Sequence, residues 1–235
     1  MKGRPFIVAI DGPAGAGKST AAKQLAARLG FALVDTGAIY RSVALAASRA
    51  GVAFDDDAGL ARLLAGLSIV FEPAPAGSGQ GPRVLLDGED VSAAIRTPPM
   101  SLGASAVSAR PVVRAGLLDL QRRLATAPAN RGAVLEGRDI GTVVFPDADL
   151  KVFLTASPEV RARRRFDELR AKGDRSTYEQ VLADQLRRDR DDAERAVAPL
   201  KPAADAVLVD TTRLTLGEVV DRIASEAGRR QEAGR

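Results

Sequence analysis

The residues Gly12-Pro13-Ala14-Gly15-Ala16-Gly17-Lys18-Ser19 match the pattern G-x-x-x-x-G-K-[ST] in full. Their chemistry is anion capture. Glycines let the backbone close around a ligand, and successive N–H groups at a helix N-terminus then form a nest for phosphate. Lys18 brings a point charge for β- and γ-phosphates and Ser19 a hydroxyl for Mg²⁺, so the stretch reads as a nucleoside triphosphate loop. Thr20, next in line, suits either a phosphate contact or helix packing. Asp35-Thr36-Gly37-Ala38-Ile39-Tyr40-Arg41 forms a second cluster. Asp35, read as lying beside the strand of the glycine loop, stands where Mg²⁺ or its waters belong. The fork of Arg41 suits an acceptor phosphate, although a surface arginine is as good a reading of Arg41 alone. In Glu136-Gly137-Arg138-Asp139-Ile140-Gly141-Thr142, an Arg-Asp pair between two glycines favours ligand binding over an intraturn ion pair. Arg188, Asp192 and Arg195 recur at i, i+4 and i+7 on one helical face, where spacing alone favours a solvated ladder of ion pairs.

Composition narrows the chemistry. The chain has no cysteine and no histidine, which removes disulfides, Ser-His-Asp and Cys-His catalysis and most zinc chemistry. Carboxylates, Lys, Arg, hydroxyls, backbone amides and a ligand's own metal remain. The formal charge is +4, but only six of the 34 basic residues are lysine, acidic residues interleave with them, and aromatics make up 4%. Stacking platforms for nucleic acid are therefore scarce, and the arginines read as binders of small phosphates, ion-pair partners or surface. No apolar run approaches the roughly 20 residues that cross a bilayer, and no signal pattern opens the chain, so a cytoplasmic protein is expected. The guanine-reading N-K-x-D pattern and ABC-type signatures are absent, and 235 residues are few for a motor.

The elements that must position these groups are legible as short apolar runs. FIVAI (6–10), FALVD (31–35), AVLEG (133–137), LKVFL (150–154) and AVLVD (206–210) read as buried parallel strands separated by helical patterns, hence an α/β fold. The glycine loop sits between the first run and a helix ended by Gly30. About 100 residues separate the second and third runs, too many for a simple crossover. Within them, SIVFE (68–72) and RVLLDGEDV (83–91) read as a small antiparallel element, joined by a Pro/Gly/Ser linker at 73–82 that is expected to be mobile. Helices are expected at about 38–50, 56–66 and 111–126. Ser176 with Glu179 and Thr215 with Glu218 read as capping boxes, Ser157-Pro158 as a helix start, and 228–235 as a frayed end. Arg161, Arg163, Arg164, Arg165, Arg170 and Arg175 surround the Gly173-Asp174 break, a helix–turn–helix able to fold over a triphosphate and exclude water.

Together, the segments IDGPAGAGKST (10–20), DTGAIYR (35–41), LLDGEDVSAAIRT (85–97), LEGRDIGTVVFPDADLKVFL (135–154) and ERAVAPLKPAADAVLVDT (194–211) resemble the bacterial cytidylate kinases, a family of nucleoside monophosphate kinases. The resemblance implies a three-layer P-loop core over 1–37, 127–157 and 196–235 with a five-stranded parallel sheet. It also implies a mixed α+β acceptor-binding region over 38–126, with its insert at about 66–92, and a short helical lid over 158–195. It implies transfer from ATP to CMP or dCMP with Mg²⁺, by a monomer. Thr36, Arg41, Ser105, Arg114, Arg138, Asp139, Arg188, Asp192 and Arg195 match acceptor-site positions, and Asp35 is expected to bind substrate with them. In the family, the counterparts of Arg41, Arg138 and Arg188 hold the acceptor phosphate. Those of Ser105, Arg114 and Asp139 read the cytosine edge, and that of Asp192 holds the ribose hydroxyls. The resemblance thus overrides the solvated-ladder reading of Arg188. Thr36 stands where the family often has serine, and Ser19 where some members carry glycine. On the residues alone, a P-loop kinase for UMP or a hydroxylated metabolite, and a nucleotide-binding module without catalysis, are the other readings. The presence of Lys18, Ser19, Asp35 and Arg41 together speaks against the last.

Overall fold

The computed structural model describes residues 4–72, 82–171 and 173–233; apart from Pro82, the linker expected at 73–82 lies outside them. In chain order, β1 (Phe6–Asp11), α1 (Lys18–Leu29) and β2 (Ala32–Asp35) lead into α2 (Thr36–Arg49), α3 (Asp57–Gly66), β3 (Ile69–Glu72), β4 (Arg83–Leu86) and β5 (Glu89–Asp90). Then come α4 (Pro98–Ser108), α5 (Pro111–Thr126), β6 (Gly132–Gly137), β7 (Leu150–Thr155), α6 (Pro158–Ala171), α7 (Tyr178–Ala193), β8 (Val207–Asp210) and α8 (Leu216–Ala233). Two compact units result, Met1–Val34 with Ala125–Arg235, and Asp35–Leu124.

In the first unit the five apolar runs form one sheet in the order β2-β6-β1-β7-β8. Its central registers are parallel, with Phe6 opposite Gly132, Val8 opposite Leu150 and Val152 opposite Val207. Alternate strand residues, Val8 and Ile10 or Leu150, Val152 and Leu154, face the same side. There they meet Ala21, Ala22, Leu25 and Ala26 of α1 and Val219, Val220, Ile223 and Ala227 of α8. The spacing of those helix residues is the apolar stripe a period of 3.6 requires. The sheet order corrects one expectation. β6 lies between β1 and β2, so Asp35 is not beside the strand of the glycine loop. The chain returns after the long excursion to pair with β1, and that return is not written in the order of the runs.

The second unit has its own core, built on Ile39, Val43 and Ala47 of α2, Leu60 of α3, Ile69, Val84 and Leu86 of the strands, and Val113 and Leu117 of α5. RVLLDGEDV is two strands rather than one. Asp87 (φ 50°) and Gly88 (φ 85°) make a two-residue turn with both φ positive, the hairpin geometry that Asp-Gly favours. The resulting sheet is antiparallel in the order β3-β4-β5, with Ile69 opposite Leu86 and Leu85 opposite Asp90. α4 was not foreseen. It opens on Pro98-Pro99 after Thr97, a recognised start signal, but its small Gly, Ala and Ser residues give no apolar period.

Four helix ends complete the frame. The capping box of α7 is Thr177 with Gln180, one residue later than expected, because Ser176 N–H is taken by the Asp174 carboxylate at 2.8 Å. The Thr215–Glu218 box is present, with Glu218 N–H donating to Thr215 Oγ1 at 3.3 Å. Ser157 Oγ accepts from Val160 N at 3.3 Å at the start of α6. α8 does not fray at 228. It continues to Ala233, with Ala227 fully buried and Arg230 donating to the Asp149 carbonyl at 3.2 Å. Among the described residues no helix is long and apolar enough to cross a membrane.

Candidate active site

The glycine loop leaves β1 and enters α1 directly. Gly12 has φ 148°, and a Cβ there would lie 2.0 Å from the Leu154 carbonyl oxygen, so only glycine fits against β7. Gly17 (φ 90°) caps α1 without any side-chain hydrogen bond, and the first backbone bond into the helix is Ala21 N to Gly17 O at 3.0 Å. The positive end of α1 is thus left to backbone amides. Lys18, the first residue of α1, is buried, and its ammonium donates to the Pro13 carbonyl at 2.8 Å. Burial pushes its pKa down to about 7, and Arg138 pushes the same way, while Glu136, Asp11 and Asp192 offset part of the effect. Ser19 and Thr20 are exposed on the first turn, which sets aside the packing alternative for Thr20.

Around the loop stands a charged network from the same unit. Arg138 Nε donates to Asp192 Oδ2 at 2.8 Å, and Arg195 pairs with the other oxygen. Burial raises the Asp192 pKa, but Arg138 and Arg195 outweigh it and hold the carboxyl below its ordinary range. α7 ends at Ala193, so Arg195 reaches Asp192 from beyond the helix rather than along the expected face. Arg188, half-buried on α7, has its Nε buried with no hydrogen-bond partner. Burial works against its charge, as do Arg165, Arg187 and Arg138, with Asp184 offsetting part. Asp139 is buried at the end of β6. A cleft at the carboxyl ends of β7 and β8 is lined by Thr155, Ser157, Asp210, Thr212, Arg213 and Leu214.

The second unit holds the other predicted residues. Asp35 caps α2 by accepting from Ala38 N at 2.8 Å, and its other oxygen takes Arg41 at 3.0 Å, with Arg96 at 3.6 Å. Both oxygens thus hold groups of this unit in place, Oδ1 the start of α2 and Oδ2 the Arg41 guanidinium. A Cβ at Gly37 would lie 3.2 Å from Arg41 Nη1, so glycine there leaves room for the guanidinium. Arg41 Nε is buried without a hydrogen-bond partner. Thr36 is buried beside Asp35 in sequence. Arg114 donates to the Ser108 carbonyl at 3.0 Å and stands 5.9 Å from the Tyr40 ring centroid. Ser105, on α4, is half-buried, and its hydroxyl has no hydrogen-bond partner among the described residues.

The model for the family described as cytidylate kinase matches residues 8–229 of this chain. The cytidylate kinase of Geobacter sp. (strain M21) is 56% identical over 215 residues, which are 92% of this chain and 89% of that one. That of Pseudomonas syringae pv. tomato is 49% identical over 234 residues, covering 100% of both. The chain belongs to the cytidylate kinase family. It is an ATP-dependent nucleoside monophosphate kinase, a phosphotransferase. A crystal structure of an uncharacterized protein from Eubacterium ventriosum is similar in fold, with a TM-score of 0.50 at 12% identity over 95% of this chain and 98% of that one.

Within this cytidylate kinase family member, several groups beside the loop escaped the sequence reading. Asp11, the last residue of β1, accepts from Ile140 N at 2.8 Å and Gly141 N at 2.7 Å, tying the loop strand to the turn after Arg138. Burial raises its pKa to about 6 against those two amides and Lys18, with Asp139 adding to the rise. Arg161, expected among lid arginines, is buried and bidentate to Asp189 at 2.9 and 2.7 Å. Arg164 is committed to Thr211, and Arg163 lies 4.5 Å from the Tyr178 ring centroid. No local pattern announces these pairings, since each partner lies on another element.

Proposed function

We propose that this kinase moves the γ-phosphoryl group of ATP to CMP or dCMP, giving ADP and CDP or dCDP. The observation that carries the residue assignment is the pair of buried guanidinium nitrogens, Nε of Arg41 and of Arg188, that lack hydrogen-bond partners. A buried donor left unpaired costs about 1–3 kcal/mol, more when charged, so such groups persist where an oxyanion is to be bound. Arg41, Arg188 and Arg138 are the proposed clamp for the acceptor phosphate. Ser105, Arg114 and Asp139 are the proposed readers of the base, and Asp192, held by Arg138 and Arg195, takes the ribose hydroxyls.

On the donor side, the backbone N–H groups of the Gly12–Thr20 loop, Pro13 having none, and the Lys18 ammonium take the phosphates, and the cleft beyond β7 and β8 suits the donor nucleoside. Mg²⁺ fits Ser19. Its exposed hydroxyl has no hydrogen-bond partner among the described residues, which also hold no cluster of three His, Cys, Asp or Glu able to hold a metal. An ion bound mainly by phosphate oxygens and water needs little more from the protein. When bound, Mg²⁺ neutralises phosphate charge. The acceptor phosphate oxygen attacks the γ-phosphorus, the bond to the β-bridging oxygen breaks, and ADP leaves. A phosphate is already a competent nucleophile at neutral pH, so the chain supplies positioning and charge rather than a base.

An ADP-release assay across CMP, dCMP, UMP, AMP and shikimate tests the reading. Turnover with CMP and dCMP is expected. CMP inert while another acceptor turns over would end it.

A further inference from the structure

Two carbonyl oxygens of the glycine loop are held from outside it. Ala14 O accepts from Gln185 Nε2 at 3.0 Å and from Arg161 Nη1 at 3.2 Å. Ala16 O accepts from Thr211 Oγ1 at 3.2 Å. Each donor is itself fixed. Gln185 and Arg161 are about 4% exposed, and Arg161 also donates to Ala156 O at 2.9 Å and to both oxygens of Asp189. Thr211 is 3% exposed, and its hydroxyl accepts from Arg164 Nη1 at 3.0 Å, leaving its one proton for Ala16.

In a planar trans peptide the C=O of one residue and the N–H of the next point in opposite directions. Drawing Ala14 O toward α6 and α7 therefore turns Gly15 N–H away from them. Drawing Ala16 O toward Thr211 does the same for Gly17 N–H. Gly15 (φ 75°) and Gly17 (φ 90°) supply the backbone freedom for that turn. A Cβ at Gly15 would come within 3.0 Å of Arg161 Cβ, so the loop is seated closely on α6. Gln185, Arg188, Asp189 and Asp192 fall at i, i+3, i+4 and i+7, so the helix face that reaches Ala14 also carries Arg188 and Asp192.

We propose that Gln185, Arg161 and Thr211 are positioning residues that aim the amides of the glycine loop at the donor phosphates, with Asp189 and Arg164 fixing them in turn. The inference rests on the phosphoryl-transfer reading for its rate prediction but is also readable in ATP binding alone. The test uses Gln185→Met and Thr211→Val, which remove one donor each at nearly constant volume, with Thr211→Ser as the conservative control. Each of the first two is expected to weaken ATP binding and lower kcat by about ten-fold, with the KM for CMP within about two-fold of the parent. Thr211→Ser, which keeps the hydroxyl, is expected to restore both values to within about two-fold. A merely structural role would lower the melting temperature without this split between donor and acceptor. Folded Gln185→Met and Thr211→Val with unchanged ATP affinity and kcat would overturn the proposal, as would Thr211→Ser as impaired as Thr211→Val. Should Thr211→Val fail to fold, Gln185→Met decides. Should the parent bind ATP yet leave CMP untouched, the function reading fails while the ATP affinities still decide this one.

Discussion

Arg161, in the first turn of α6, is buried, and Arg188, on α7, is half-buried with its Nε out of solvent, yet their surroundings are opposite. Every guanidinium nitrogen of Arg161 has an acceptor, with bidentate contacts to Asp189 and further bonds to the carbonyls of Ala156 and Ala14. Arg188 has its Nε buried without a partner and other arginines among its nearest charges. Burying a guanidinium is tolerable when its donors are spent on fixed acceptors, and that arrangement holds a structure together. Burying one with a donor unspent stores affinity for an anion. The difference separates two arginines that composition and spacing treat alike, and it is the ground for the two proposals that the first positions the loop and the second meets the acceptor phosphate.

The largest expected effect concerns Lys18, a buried cation of the glycine loop itself. Lys18→Met should lower kcat by about 10³-fold or more while the protein stays folded, as circular dichroism would check. Near-normal turnover in that variant would break the account of the donor site. Next comes the arginine pair itself. Arg188→Met should lower kcat/KM for CMP by about 10²-fold without lowering the melting temperature, because it removes an unspent buried donor. Arg161→Met should instead destabilise by about 3 kcal/mol in denaturant titrations, since Asp189 loses its partner. The reverse pattern would invert the comparison.

A smaller effect is protonic. Burial lowers Lys18 from its ordinary 10.5 to about 7, so the folded chain binds fewer protons than the unfolded chain between those values. The cost of burying the charge is therefore fully present below about pH 7 and is relieved as pH rises toward 10.5, which makes stability rise across that window. A bound triphosphate restores the charged form. ATP binding at about pH 8 should take up close to one proton, read by calorimetry in two buffers of different ionisation enthalpy, and the uptake should vanish in Lys18→Met. Smallest is the cap of α7. Thr177→Ala should cost about 1 kcal/mol, whereas Ser176→Ala should leave the same denaturation midpoint unchanged.

The sheet was readable because its strands are continuous apolar runs, and all five appear within a residue or two of their expected limits, although β8, at the sheet edge, leaves Leu208 exposed rather than buried as expected. The glycine loop was readable because its function demands a local spacing between a strand and a helix. Strand order was not readable, and Asp35 was misplaced for that reason. α4 was missed because a helix of small residues has no apolar rhythm, and the α7 cap slipped by one because Asp174 competes for Ser176 N–H. Asp11, Gln185 and Thr211 gave no signal at all, since each acts on a backbone group far away in sequence. Arginine count drew attention to 161–175, but only geometry shows which guanidinium groups are already spent.

The most direct measurement compares CMP with cytidine, by calorimetric titration into the parent and into Arg188→Met. The phosphate is the only difference between the ligands, and Arg188 is proposed to meet it. The parent should prefer CMP strongly, and the variant should lose at least about ten-fold of that preference while binding cytidine as before. An undiminished preference for CMP in a folded Arg188→Met would contradict the account.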